Sequence, residues 1–226
     1  MKIGVVIFPG SNCDQDLIEV LERITSTKVV ELWHKDTDLQ ECSHLFLPGG
    51  FSYGDYLRSG AIAKLSPIMQ SVKTHADKGG FVMGICNGFQ ILCESGLLPG
   101  ALLHNTSRKF ICKDLTLKAN TTHPLLQKLN SNQSYTVPIA HGEGRFYADN
   151  KTLEQLQQNN QIVFQYCNEH VACTDESNPN GSALHIAGIC NEQGNVLGMM
   201  PHPERCAADY LHNTDGQQIL KSILGL

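Results

Sequence analysis

The stretch GICNGFQ, residues 84–90, sets a cysteine between glycines, at the end of an apolar run and ahead of a polar helix start. A thiol buried merely as a small hydrophobe needs no such setting. A strand (FVMGI), a sharp turn at Cys86 and a helix from Asn87 make a strand–nucleophile–helix elbow, the thiol counterpart of G-x-S-x-G. Gly84 and Gly88 lack Cβ atoms, so strand and helix can close around the turn. A helix N-terminus favours a thiolate, and the N–H groups after the nucleophile face whatever it attacks. Taken alone, the pattern fits a packed cysteine in a βα turn equally well.

A thiolate catalyst needs a base, and the base needs an orienting group. MMPHPE, residues 199–204, contains both in His202 and Glu204. In extended chain, stiffened by Pro203, residues two apart share one side. A carboxylate there fixes the imidazole tautomer and stabilises the imidazolium. His34, His44, His75, His104 and His212 read as surface or satisfied core histidines. LPGGFSYGD adds Gly49 and Gly50 after a third strand, whose C-terminal end lies beside the Cys86 turn in a parallel sheet. Their N–H groups can form an oxyanion hole, although an ordinary strand-end turn has the same sequence.

The elements that must position these residues alternate. IGVVIF (3–8), Lys28–Trp33, Leu45–Leu47 and Phe81–Ile85 read as strands. Helices follow with Leu17, Val20, Leu21 and Ile24 on one face, over Ala61–Asp77, and over Asn87–Ser95 with Gly96 as its stop. Nearly all-apolar strands are expected where helices cover both faces of a sheet. The fold class is therefore α/β, a doubly wound, mostly parallel sheet flanked by helices. From Lys109 strand signals dominate in FICKDLTL, SYTVPIA, IVFQYC, HIAGIC and GNVLGMM, an antiparallel extension with a turn at 191–194. A helix over Gly216–Leu224 closes the chain, and one domain over residues 1–226 is the economical reading.

Composition narrows the partners. The 226 residues are 41% hydrophobic, with 17 Lys and Arg against 22 Asp and Glu, a formal charge of −5. That mild acidity argues against a nucleic-acid or anionic-membrane binder. The apolar run near the start is too short for a signal peptide, and no stretch approaches a membrane span, so a cytoplasmic protein is expected. Nine cysteines without a C-x-x-C pair read as mostly reduced, mostly buried thiols. Cys167, His170 and Cys173 have a spacing that could converge on a metal, but no fourth ligand is obvious and no metal is expected.

GICNGFQ, PHPE and LPGGFSYGD together resemble the class I glutamine amidotransferases. PGSNCD, PGGFSYGDYLRSGAIA, CNGFQIL, AHGEGRF and GNVLGMMPHPER narrow the resemblance to those that feed a ligase of purine biosynthesis. A segment from Glu169 to Pro179 is longer than the family pattern. The resemblance implies a flavodoxin-like fold, with Cys86 as nucleophile, His202 as general base and acid, and Glu204 as its orienter. It implies oxyanion donors at Gly50 and Asn87, and glutamine contacts at Gly49, Phe51, Gln90, His141 and Gly142, although GEG (142–144) reads equally as a turn between the strands at 134–140 and 146–147. The chain has no G-x-x-x-x-G-K-[ST] or G-x-G-x-x-G loop. No cofactor is therefore expected on it; the resemblance implies that ATP and Mg2+ bind a large synthetase subunit, with a small third subunit completing the complex. The loop 51–60, with Tyr53, Asp55 and Arg58, reads equally as a docking surface and as a helix-capping loop. A glutaminase serving another synthase and a non-catalytic regulatory subunit on the same fold are the alternatives.

Overall fold

The IGVVI run becomes strand β1 (Ile3–Ile7), buried at every residue but the last. It is followed by α1 (Asp14–Thr25), β2 (Val30–Trp33), β3 (His44–Leu47), α2 (Pro67–Asp77), β4 (Phe81–Ile85) and α3 (Asn87–Glu94). Then come β5 (Ala101–Leu103), β6 (Ile111–Ala119), β7 (Ser134–His141), β8 (Arg145–Tyr147) and α4 (Asn150–Gln158). β9 (Ile162–Cys167), β10 (Ile186–Cys190), β11 (Val196–Met199) and α5 (Asp215–Ile223) complete the chain. This computed structural model describes all of residues 1–226. The chain divides into two compact units, Met1–Leu98 with Asn195–Gly198, and Pro99–Gly194 with Met199–Leu226.

In the first unit β2, β1, β3 and β4 pair in parallel in that order, with β11 beyond β4. The 2-1-3-4 order is that of flavodoxin-like doubly wound sheets. Leu45, Phe46 and Leu47 are fully buried, as strands with both faces covered must be. The register Leu47↔Gly84 sets the C-terminal ends of β3 and β4 side by side. Gly49, Gly50 and Cys86 therefore leave the sheet at the same end, where such folds bind ligands.

The helix expected over Ala61–Asp77 begins later. Residues 63–65 form a 3-10 turn, and α2 starts at Pro67 with Ser66 extended (φ −62°, ψ 140°). The cause is local: a residue before proline is driven out of the helical region, while proline itself suits the first helical position.

In the second unit the order is β10-β9-β6-β7, antiparallel throughout, as expected for the later strand signals. β7 alternates between half-buried and buried residues along its whole length. It is the edge strand of this sheet, which is where Pro138 can sit without costing a ladder hydrogen bond. β5 and β8 form a separate antiparallel pair. The turn at 191–194 closes with Gly194 N–H donating to Asn191 O at 3.0 Å. No helix is long and apolar enough to cross a membrane.

Candidate active site

Cys86 is the elbow that its flanking glycines predict. It caps α3 with φ 50° and ψ −106°, and is 5% exposed. A non-glycine residue held in so sparsely populated a region stores about 1–3 kcal/mol, which the surroundings must enforce. They do so by close approach. A Cβ on Gly88 would lie 2.0 Å from Leu47 O, and one on Gly84 would lie 2.5 Å from the Gly88 carbonyl carbon.

The glycine pair after β3 is shaped by the first βα loop. Gly50 has φ 132°, and a Cβ there would meet Asn12 N at 2.7 Å. Phe51 N–H donates to Gly10 O at 3.1 Å, and Ser52 N–H donates to Asn87 Oδ1 at 3.1 Å. The amides of Phe51 and Ser52 are thus engaged within this unit. Gly49 is buried, while the Phe51 ring is largely exposed. Gln90 is buried and its Oε1 accepts from Asn87 Nδ2 at 2.9 Å.

The three residues expected at a partner interface have internal bonds. Tyr53 Oη lies 2.6 Å from His34 Nδ1 and 2.8 Å from Ser66 Oγ. Asp55 Oδ1 accepts from Asn87 Nδ2 at 3.1 Å. Arg58 makes a two-pronged pair with Glu94, Nε and Nη2 each 2.7 Å from a carboxylate oxygen. Arg58 stays exposed despite its pair with Glu94, and Tyr56 and Leu57 beside it are strongly exposed as well.

In the second unit His202 and Glu204 form a buried pair, Nδ1 to Oε1 at 2.6 Å. The local conformation differs from the extended one expected. Pro203–Cys206 is a 3-10 turn with His202 at its N-terminal cap (φ −101°, ψ 85°). Proline at the first position starts a tight helical turn as readily as it stiffens a strand, and here the turn wins. His202 N–H is anchored to Pro138 O at 2.8 Å, and a Cβ on Gly216 would collide with Pro203 O at 1.9 Å. The Cys206 thiol donates weakly into the same turn, and burial pushes its pKa up to about 12. A carboxylate can only accept, so His202 Nδ1 carries the hydrogen and Nε2 holds the basic lone pair.

A second buried imidazole lies in the HGEG turn between β7 and β8. His141 Nδ1 is 3.1 Å from Asn105 Oδ1, which also accepts from Gly144 N–H at 3.2 Å. Asn105 Nδ2 donates to His141 O at 2.8 Å and to Lys109 O at 2.9 Å. With both its N–H groups committed, Asn105 offers His141 only an acceptor, so Nδ1 donates and the buried Nε2 keeps a lone pair with no hydrogen bond. Gly142 leaves the turn open, with only Phe110 Cδ2 near a built Cβ, at 3.9 Å. Asn105 is the residue sequence reasoning missed. An asparagine in a polar loop signals nothing until its burial is seen.

Burial, reinforced by the neighbouring His202 imidazole, lowers the His141 pKa to about 4. The unfolded chain protonates this ring near 6.5, whereas the folded chain resists until about 4. Folding is therefore unaffected above pH 7 and loses stability as pH falls from 6.5 towards 4, by about 3 kcal/mol for this group. Denaturant unfolding of wild type and His141→Asn between pH 7 and 4.5 checks this, and the variant should lose distinctly less stability over that range.

Cys167 ends β9 and is buried, Cys173 is half-buried and His170 is exposed. Burial raises both thiols, which favours the protonated form over the metal-binding thiolate. The segment 169–182 is irregular apart from one 3-10 turn at Asp175–Ser177, as its Asn, Ser and Gly content predicts.

Comparison with known proteins gives the family of the chain. A model of the CobB/CobQ-like glutamine amidotransferase domain matches residues 1–222. A Koribacter versatilis protein named phosphoribosylformylglycinamidine synthase subunit PurQ is 54% identical over 226 residues, covering 100% of this chain and 98% of its own. A Moorella thermoacetica protein of the same name is 53% identical over 225 residues, covering 99% and 95%. A chain in the structure of PurLQS from Thermotoga maritima superposes with TM-score 0.86 at 41% identity, over 99% of this chain and 97% of that one. A glutamine amidotransferase from Thermotoga maritima shares the fold, with TM-score 0.64 at 15% identity over 99% and 96%.

Proposed function

The chain belongs to the CobB/CobQ-like glutamine amidotransferase domain family, and from that premise we propose that it is the glutaminase subunit of a phosphoribosylformylglycinamidine synthase. It hydrolyses glutamine to glutamate and ammonia. The ammonia goes to a synthetase subunit that converts formylglycinamide ribonucleotide to formylglycinamidine ribonucleotide. The observation that carries the chemistry is the strained Cys86 elbow at the C-terminal end of β4.

In this reading Cys86 Sγ attacks the side-chain carboxamide carbon of glutamine. His202 Nε2 takes the thiol proton and returns it to the departing nitrogen, so ammonia leaves as the C–N bond breaks. General acid–base help of this kind is worth about 10^2–10^4 in rate. Glu204 holds the imidazole tautomer and stabilises the imidazolium. The amides of Gly50 and Asn87 stabilise the oxyanion. Water then attacks the thioester, gives its proton to His202, and the carbon–sulfur bond breaks to release glutamate. Gly49, Phe51 and Gln90, together with the turn at His141 and Gly142, bind the glutamine. The His141 Nε2 lone pair is an acceptor suited to the ammonium group of an amino acid.

ATP and Mg2+ act on the synthetase partner, a division supported by the lack of a phosphate-binding loop in this chain. A small third subunit completes the complex, and the setting is cytoplasmic. The test is to follow glutamate and the amidine product together, with this chain alone and with its synthetase partner. Glutamate and product should form in equal amounts in the complex, with slow glutamate release from the chain alone. Absence of glutamate release from the complex would favour a regulatory subunit instead.

A further inference from the structure

We propose that Asp55 is a positioning residue for glutamine hydrolysis, acting through the Asn87 carboxamide to hold the oxyanion loop against the Cys86 elbow. The proposal deepens the function proposed above and rests on it. Asn87 is the first residue of α3, is buried, and its main-chain amide directly follows the nucleophile. Its side chain makes three hydrogen bonds. Oδ1 accepts from Ser52 N–H at 3.1 Å, and Nδ2 donates to Asp55 Oδ1 at 3.1 Å and to Gln90 Oε1 at 2.9 Å.

This set has a direction. A carboxamide has one acceptor oxygen and two N–H donors. Turned over, Asn87 would put its oxygen against the oxygens of Asp55 and Gln90 and its N–H groups against the Ser52 amide. Asp55 can only accept when ionised, so it fixes which way the carboxamide points. The carboxamide then holds the Ser52 amide, two residues beyond Gly50, on the residue that follows Cys86. The two amides assigned to the oxyanion, those of Gly50 and Asn87, are thus tied together by one side chain whose orientation Asp55 sets.

The backbone of the loop is independently consistent with a held device. Tyr53, Asp55 and Leu57 have φ of 55°, 51° and 75°, and Gly54 has φ 70°. Non-glycine residues adopt such values infrequently, and here they cluster in one short loop. The bonds that keep it wound are those of Tyr53 to His34 and Ser66, Asp55 to Asn87, and Arg58 to Glu94. Of these, the Asp55 bond is the one that ends on the residue after the nucleophile. The others set the loop's shape, whereas Asp55 ties that shape to the chemistry.

The experiment compares Asp55→Ala, Asp55→Asn, Asn87→Ala and the Asp55→Ala/Asn87→Ala double variant in the complex with the synthetase partner. Readouts are kcat and KM for glutamine, synthesis driven by ammonium chloride, and the rate of Cys86 alkylation by iodoacetamide. Misplacing groups by an ångström costs up to about 100-fold in rate, so Asp55→Ala should lower kcat for glutamine by roughly 10–100-fold with little change in KM. Ammonia-driven synthesis and alkylation should stay within about threefold, because neither uses the oxyanion amides. Asp55→Asn keeps an acceptor oxygen but gains N–H donors, so it no longer enforces the direction alone, and its kcat should lie between those of Asp55→Ala and wild type. The double variant should be no slower than Asn87→Ala, since both changes break one pathway. The proposal is overturned if Asp55→Ala keeps wild-type kcat, if only KM rises, if alkylation falls in step with kcat, or if Asp55→Asn is as slow as Asp55→Ala. Failure of the underlying reading gives a different result: glutamine turnover would then survive Cys86→Ala in the same complex.

Discussion

Cys86→Ala should abolish glutamine-dependent synthesis by the complex while leaving synthesis from free ammonia intact. Removing the nucleophile of a coupled triad costs on the order of 10^6 in kcat, because the remaining groups have no bond-forming partner to assist. The partner's half-reaction needs only ammonia, whatever its source. The substitution is also a clean one. Alanine at position 86 faces the same positive-φ backbone as the cysteine, so the elbow's strain is unchanged, and the loss is a single sulfur atom from a buried position. Deleting one such atom costs about 1 kcal/mol, small beside a typical domain stability of about 5–15 kcal/mol. The measurement is product formation from glutamine and, separately, from ammonium chloride. Wild-type turnover of glutamine by the variant would show that the elbow is not the nucleophile. Loss of both activities would mean instead that the complex had failed to assemble.

Gly88→Ala should be a severely damaging single-methyl change at the elbow. In an ordinary helix this substitution stabilises, since alanine exceeds glycine by about 1 kcal/mol in helix propensity. Here the added Cβ would stand 2.0 Å from Leu47 O, 2.7 Å from Leu47 C and 2.9 Å from Leu47 Cβ. Leu47 is in β3, paired to β4 and fully buried, so its backbone cannot step aside. Overpacking against fixed backbone costs about 3 kcal/mol or more, which outweighs the propensity gain. Whatever relief occurs must come from shifting α3, and with it the amide that follows Cys86. A displacement of an ångström there lowers glutaminase activity by about 100-fold. Thermal unfolding and glutamine turnover should therefore fall together. Gly96→Ala is the control. Gly96 has φ 74° with nothing within 4 Å of a built Cβ, so only the left-handed backbone penalty applies, about 1–2 kcal/mol. Equal losses for the two variants would mean that crowding against Leu47 is not what demands glycine at position 88.

Much of this protein was legible in one dimension because its information is local. Apolar β-branched runs set the strands of the first unit, and glycines two residues either side of Cys86 announce an elbow, since only absent Cβ atoms permit that approach. His202 and Glu204 are close enough along the chain that either an extended or a tight-turn backbone lets them meet. What the sequence could not supply is the outcome of contests decided by distant groups. The tight turn at Pro203 prevailed over the extended form within a unit where Pro138 O anchors His202 and Gly216 packs against Pro203. Asn105 and Asn87 look like ordinary loop and helix-start polar residues. Each became an orienting hub only when folding buried it and brought donors and acceptors from elsewhere in its unit within about 3 Å. His141 is kept neutral by burial and by the neighbouring His202 imidazole, 61 positions along the chain. Chain spacing specifies which side chains can be neighbours along an element. Desolvation and hydrogen-bond saturation depend on everything that closes around a residue, so only the tertiary structure decided them.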